Sequence, residues 1–125
     1  MSEAASGGVG TFKDRAADAL TSYMTVLEDL PEVADDSERF AVISDSGSQY
    51  IVDCRAGTCT CPDMLHRRPD GGCRHLRRVS FARGAVPIPG WVEREAIDPQ
   101  LGQHLAASPR IATADGRTEV FEPDV

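Results

Sequence analysis

Cysteine and histidine side chains in the middle of the chain have the types and the spacing of a metal site. A Cys-x-Cys pair is followed, after eleven residues, by a Cys-x-His pair: Cys59, Cys61, Cys73 and His75. Zinc takes four ligands in a tetrahedron, and thiolates and imidazoles are among its preferred ligands. Four protein ligands close the site and leave no position for a substrate, so the pattern predicts a structural zinc ion in a protein that is not an enzyme.

Two kinds of local structure are expected to bring these ligands together. Side chains alternate along an extended segment, so both cysteines of the Cys-x-Cys pair point to one side. The second pair is expected at the start of a helix from about Cys73 to Ala82, which Gly84 terminates. The polar loop at 63–72 contains two adjacent glycines, which allow it to turn back toward the first pair.

The segment before the ligands is typical of a β-hairpin. Arg39–Ser44 and Gln49–Asp53 are rich in Val, Ile and aromatic residues, and Asp, Ser and Gly between them are turn residues. A hairpin followed by a helix predicts an α+β fold in which a small ββα unit surrounds the zinc ion.

This arrangement resembles the SWIM-type zinc finger. The resemblance covers roughly Phe40 to Arg83 and rests on the ligand order Cys-x-Cys-x(n)-Cys-x-His, with the strand Tyr50–Asp53 before it and a helix after it. It implies a SWIM-like ββα fold whose zinc ligands are Cys59, Cys61, Cys73 and His75. Because this family is associated with DNA binding and with protein–protein contacts, it also implies a stand-alone adaptor that binds DNA or another protein.

The rest of the chain divides into segments around this finger. The expected organisation is a disordered tail at 1–10, an N-terminal helix at 11–31, the finger at 38–84 and a Pro-containing C-terminal extension at 85–125. Apolar residues from Phe12 to Leu30 recur at helical spacing, and Pro31 follows them. In the extension, Asp98-Pro99 predicts the start of a short helix to about Ala107, and residues 110–121 a closing hairpin.

The finger is the one cationic part of an acidic chain. Residues 54–83 carry seven arginines and two acids, whereas the whole chain has a net charge of −7. Three of these arginines share a predicted helix face and two lie in the preceding loop, so all five are candidate contacts to nucleic acid or to a protein partner: Arg74, Arg77, Arg78, Arg67 and Arg68. The alternative is a solvated helix face that offsets acids elsewhere.

The remaining composition also bears on partners and location. The chain has 20 acids and a single lysine, Lys13, which is similar to proteins from high-salt cytosols such as those of halophilic archaea. In molar salt the screening length is about 3 Å, which weakens attraction to nucleic acid and favours a protein partner. No apolar run approaches the roughly 18–20 residues of a membrane helix, and clustered thiols are typical of a reducing compartment, so a cytoplasmic protein without a membrane or a small-molecule substrate is expected.

Alternatives remain for several residues. Cys54 could replace His75 in an all-cysteine site, although its place at a strand end favours a small buried residue. Cys59 and Cys61 could instead act as a thiol redox or metal-responsive pair. His66 and His104 are expected on the surface. Trp91, the single tryptophan, either anchors a partner or packs back on the domain.

Overall fold

The computed structural model describes residues 15–122. The predicted disordered tail at 1–10 lies outside the described residues. In residues 15–122 no helix combines the length and the apolar character that crossing a membrane requires. The elements in chain order are helix α1 (15–21), strands β1 (Thr25–Leu27), β2 (Arg39–Ile43), β3 (Gln49–Asp53) and β4 (Thr58–Cys59), helices α2 (Pro62–His66) and α3 (Arg74–Ala82), a 3-10 turn (Arg94–Ala96), and strands β5 (Arg110–Ala112) and β6 (Thr118–Val120).

The main sheet is antiparallel, with strand order β1-β2-β3-β4. The predicted hairpin is present as β2 and β3, and it pairs Phe40 with Val52 and Val42 with Tyr50. Phe40, Val42 and Val52 are buried because alternate residues of both strands face α3. Gly47 in the connecting turn has φ +90°, a backbone conformation that favours glycine. The local pattern of apolar and turn residues was therefore sufficient to find this hairpin.

The N-terminal helix is shorter than the sequence predicts. It ends at residue 21, whereas a helix over 11–31 was expected, and residues 11–14 lie outside the described part. Thr25–Leu27 instead forms β1, in which Val26 pairs with Val42 and is buried. Tyr23, part of the predicted helical stripe, is largely exposed. The helical spacing was misleading because pairing with β2 satisfies the backbone of this segment and buries Val26.

Helix α3 lies between two hydrophobic clusters. Its Val79 belongs to the cluster under the sheet, together with three of the cysteines. Phe81 and Ala82 belong to a second cluster, which α1 and the C-terminal segment complete. The segment predicted as an extension therefore supplies more than half of this second cluster: Ile88, Ile97, Leu101, Ile111 and Phe121.

Within the C-terminal segment the predicted hairpin is present and the predicted helix is not. Strands β5 and β6 pair in antiparallel register, and Ile88 makes a parallel bridge to Ile111. Residues 98–107 form turns, where His104 has φ +69°, and the helical turn lies earlier at Arg94–Ala96. Asp98 accepts from the Gln100 N–H at 3.1 Å through Oδ1, as an N-cap does, but turns follow it, and its Oδ2 makes a contact in the interior. Trp91 is 62% exposed, so it does not pack back on the domain.

That interior contact is an ion pair between Arg78 of α3 and Asp98. Both side chains are fully buried. The guanidinium also donates to the carbonyl oxygens of Ser22 at 2.8 Å and Met24 at 3.0 Å, while the Asp98 carboxylate accepts from the Met24 N–H at 3.1 Å. Burial lowers the pKa of Arg78, and the hydrogen bond from Arg78 to Asp98 opposes that shift. One arginine thus joins α3 to the end of α1, to the start of β1 and to the C-terminal segment.

Removing the carboxylate charge of this pair tests its role. Asp98→Asn leaves the Arg78 guanidinium buried without a counter-ion, and breaking such a pair costs about 3–5 kcal/mol. We expect a loss of that size in the free energy of unfolding, measured by urea denaturation. The control is Arg94→Gln, which breaks the Arg94–Glu119 pair; both side chains are more than half exposed, so the cost is about 0–1 kcal/mol. Equal losses of unfolding free energy for the two variants would contradict a structural role for the buried Arg78–Asp98 pair.

Candidate metal centre

The four predicted ligands lie at the ends of short elements that meet beside the sheet. Cys59 ends β4, where it pairs with Val52 of β3. Cys61 directly precedes α2, and Cys73 directly precedes α3. His75 is the second residue of α3, and all four ligand side chains are buried. The sheet therefore fixes one end of the site and the start of α3 fixes the other.

The distances between the ligand atoms fit one metal ion. One ligand atom from each residue lies within 4.8 Å of the other three. Nδ1 of His75 lies 3.9 Å from Sγ of Cys59 and 3.8 Å from Sγ of Cys73. Bond lengths of about 2.3 Å to sulfur and 2.0–2.1 Å to nitrogen place tetrahedral neighbours about 3.5–3.8 Å apart. Four buried Cys and His side chains are thus positioned to hold a metal ion.

The protein also stabilises negative charge on one of these sulfurs. Cys73 is the N-cap of α3, and its Sγ accepts from the Leu76 N–H at 3.5 Å. A hydrogen bond from Cys59, with further ones from His75 and Leu76, lowers the pKa of Cys73 to about 4. The same bond to Cys73, together with burial, raises the pKa of Cys59. A thiolate is the form that binds a metal, and the lowered pKa of Cys73 favours that form.

The loop before Cys73 depends on its glycines. Gly71 and Gly72 have φ +82° and +95°, and a Cβ on Gly72 would lie 2.5 Å from the Leu76 side chain. Arg77 then fastens the loop to α3, because its guanidinium donates to the carbonyl oxygens of Gly72 at 2.9 Å and Asp70 at 2.7 Å. The two glycines thus turn the loop back, as expected, in a defined turn that leads into Cys73.

The five predicted contact arginines do not form one surface. The prediction is wrong for Arg78, whose fully buried side chain cannot meet a partner. Arg77 is partly buried and bonded to the loop backbone. Arg74 contacts the Ser22 hydroxyl at 3.3 Å and the Asp45 carboxylate at 3.4 Å. Arg67 and Arg68 are exposed. Sequence spacing placed three arginines on one helix face but could not show that Arg78 is turned inward.

Other cysteine and histidine residues lie outside the cluster. Cys54 is a half-buried free thiol beside Arg83, and burial raises its pKa. His66 and His104 are exposed, as predicted, although His104 lies on a turn and not on a helix. Of the residues around the site, sequence reasoning missed Tyr50 as a neighbour, whose ring lies 4.7 Å from that of His75. It also missed Arg15, whose partner Asp63 is 48 residues away along the chain.

Comparison with known proteins does not assign the chain to a family. Protein-family models, curated proteins and solved structures were each compared with it, and no match was found in any of the three.

Serine substitutions distinguish a cysteine that binds the metal from one that does not. Cys61→Ser removes one of the four ligands, and we expect it to abolish the one-to-one metal stoichiometry and the cooperative thermal unfolding transition. Cys54→Ser removes a thiol outside the cluster and is expected to retain both. Metal content by inductively coupled plasma mass spectrometry and melting by circular dichroism provide the readouts. A folded, metal-loaded Cys61→Ser variant would contradict the site.

Proposed function

We propose that Cys59, Cys61, Cys73 and His75 bind one structural zinc ion, and that residues 38–84 form a SWIM-type zinc finger. The observation that carries this proposal is the buried cluster of three sulfurs and one imidazole nitrogen. Three thiolates and an imidazole form a donor set typical of structural zinc. The order of the surrounding elements also supports the SWIM assignment, because a hairpin precedes the first ligand pair and the second pair lies at the start of a nine-residue helix.

The zinc ion would act through folding and not through catalysis. Four protein ligands leave no coordination position for a substrate, so we infer that the protein is not an enzyme. Structural zinc contributes on the order of 10–16 kcal/mol in small finger peptides at neutral pH, and that energy becomes folding energy. Three of its ligands also belong to the cluster under the sheet. Zinc would therefore stabilise the packing of α3 on the sheet as well as the loop.

We infer that the finger serves as a protein-interaction adaptor. Of the five predicted contact arginines, only Arg67 and Arg68 have exposed side chains. Two phosphate contacts give a salt slope of about −1.8 on a log–log scale, against about −4.5 for five, so the electrostatic part of nucleic-acid affinity is small. Leu65 of α2 is 59% exposed beside these arginines. Arginine is enriched at protein interfaces, and Leu65 adds apolar surface for a partner to bury.

The redox alternative is less well supported. A reactive thiol must be accessible, but Cys59 and Cys61 are 4% and 1% exposed. Burial also raises the pKa of Cys61, which disfavours its thiolate in the absence of metal. We infer a cytoplasmic protein, because a reducing compartment keeps such ligand thiols available for zinc.

Cobalt substitution tests the donor set and the coordination number. Co²⁺ replacing zinc in a tetrahedral site of three thiolates and one imidazole is expected to give strong d–d bands and thiolate charge-transfer absorption. Stoichiometric zinc is expected to displace it. A six-coordinate cobalt spectrum, or a chain that contains an iron–sulfur chromophore when purified without oxygen, would refute the structural zinc site.

A pull-down from lysate at matched salt tests the adaptor role. We expect a protein partner that persists after nuclease treatment and is lost with Leu65→Asp. The matched control is Val120→Asp, which changes a comparably exposed residue on the β6 hairpin. A partner set that disappears with nuclease would instead show nucleic-acid binding. Equal loss of the protein partner with both variants would argue against α2 as the binding surface.

A further inference from the structure

A cleft of about 430 Å³ lies between the segment that begins with the 3-10 turn and the residues that follow strand β6. Three apolar and three charged residues line it: Ile97, Pro99, Phe121, Arg94, Glu95 and Glu122. None of the six belongs to α2 or to the metal cluster, so this cleft is separate from the two surfaces described above.

The floor of the cleft is apolar and held in place by the interior. Ile97 is 5% exposed and Phe121 is 3% exposed, and both belong to the second hydrophobic cluster. Directly after Ile97, the Asp98 N–H donates to the carbonyl oxygen of Leu20 at 2.8 Å. The Phe121 N–H donates to the carbonyl oxygen of Pro109 at 2.9 Å. The cleft is therefore preformed, and a ligand does not pay the cost of ordering it.

The rim of the cleft carries negative charge that the protein does not neutralise. The side chains of Glu95 and Glu122 are both exposed. Within the described part of the chain, neither carboxylate has a hydrogen-bond or ion-pair partner. The arginine of the lining, Arg94, is paired with Glu119 at 3.3 Å. A ligand that enters the cleft thus meets two free carboxylates above an apolar floor.

Arg94 itself shows which chemical group this surface accepts. Its guanidinium carbon lies 5.5 Å from the centre of the Phe121 ring, within the range of a cation–π contact. The Arg94 side chain is nevertheless 55% exposed, so it leaves room above the floor. Arginine and lysine side chains combine an apolar stem with a cationic end, and both parts find a complement here.

We propose that this cleft binds an arginine-containing segment of a protein partner. The aliphatic stem of the arginine would cover Ile97 and Pro99, while its guanidinium would reach Glu95 and Glu122. Charge complementarity selects this occupant, because the same carboxylates repel nucleic acid and acidic peptides. The inference goes beyond the adaptor surface on α2 and uses no property of the zinc site. It supplies the second surface that an adaptor needs to join two partners.

Nuclear magnetic resonance of the full-length, zinc-loaded chain tests the proposal. The probe is a blocked five-residue peptide of alanine with arginine at its second and fourth positions. We expect saturable shifts of the Ile97 and Phe121 signals. The matched peptide carries citrulline, which has the shape of arginine without its charge, and is expected to shift these signals much less. Shifts that rise linearly with the arginine peptide, or equal shifts with the citrulline peptide, would overturn the proposal.

Charge variants locate the binding. Glu95→Gln and Glu122→Gln each remove one exposed carboxylate, so we expect roughly two- to fivefold weaker peptide binding for each, with unchanged melting. The matched control is Glu32→Gln, an exposed glutamate outside the cleft, with no expected effect. Arg94→Gln removes the competing cation and frees Glu119, so it is expected to tighten binding. Equal weakening by all three glutamate variants, or weaker binding by Arg94→Gln, would refute the cleft.

Other occupants give different results. Sedimentation velocity of the peptide-free chain is expected to show no dimer that depends on Glu95 and Glu122; a dimer that their double glutamine variant dissociates would place a second copy in the cleft and overturn the proposal. An oligonucleotide that shifts the same signals would also overturn it. Leu65→Asp, which tests the surface on α2, is expected to leave peptide binding unchanged, and loss of binding there would contradict a separate surface.

Discussion

The buried ion pair between Arg78 and Asp98 is the constraint on which the arrangement of the chain depends. Two charges removed from water are tolerated only when hydrogen bonds surround them. The Arg78 guanidinium reaches the Asp98 carboxylate and the carbonyl oxygens of Ala19, Ser22 and Met24, so four separate parts of the chain must meet at one point. The end of α1, the start of β1 and the C-terminal segment are therefore placed by one side chain of α3.

The metal centre depends on the same helix, one turn earlier. The N-cap of α3 is Cys73 and its second residue is His75, while Phe81 and Ala82 at its far end pack into the second cluster. A metal ion would thus hold the beginning of α3 on the sheet, and the ion pair holds its middle. The two features stabilise successive parts of one nine-residue element, which explains how the sheet and the C-terminal segment pack on the same helix.

The use of arginine inside the molecule changes how its surface is understood. Arg78 neutralises Asp98, Arg77 fastens the loop before Cys73, and Arg83 pairs with Glu38 at 2.9 Å. Much of the positive charge of residues 54–83 is therefore paired or hydrogen-bonded within the protein. What faces outward is a smaller cationic region near the metal centre, around Arg67 and Arg68, and this is where we place the partner surface.

The sequence by itself determined the features whose signals are local. Ligand identity and spacing identified the cluster of Cys59, Cys61, Cys73 and His75, and alternating apolar residues with a turn between them identified the β2–β3 hairpin. Tertiary structure decided the rest. Residues 25–27 became a strand because β2 offers a partner, and Arg78 turned inward because Asp98, 20 residues later, supplies its counter-charge. These outcomes depend on contacts between groups that are distant along the chain, so the periodicity of apolar residues within one segment cannot predict them.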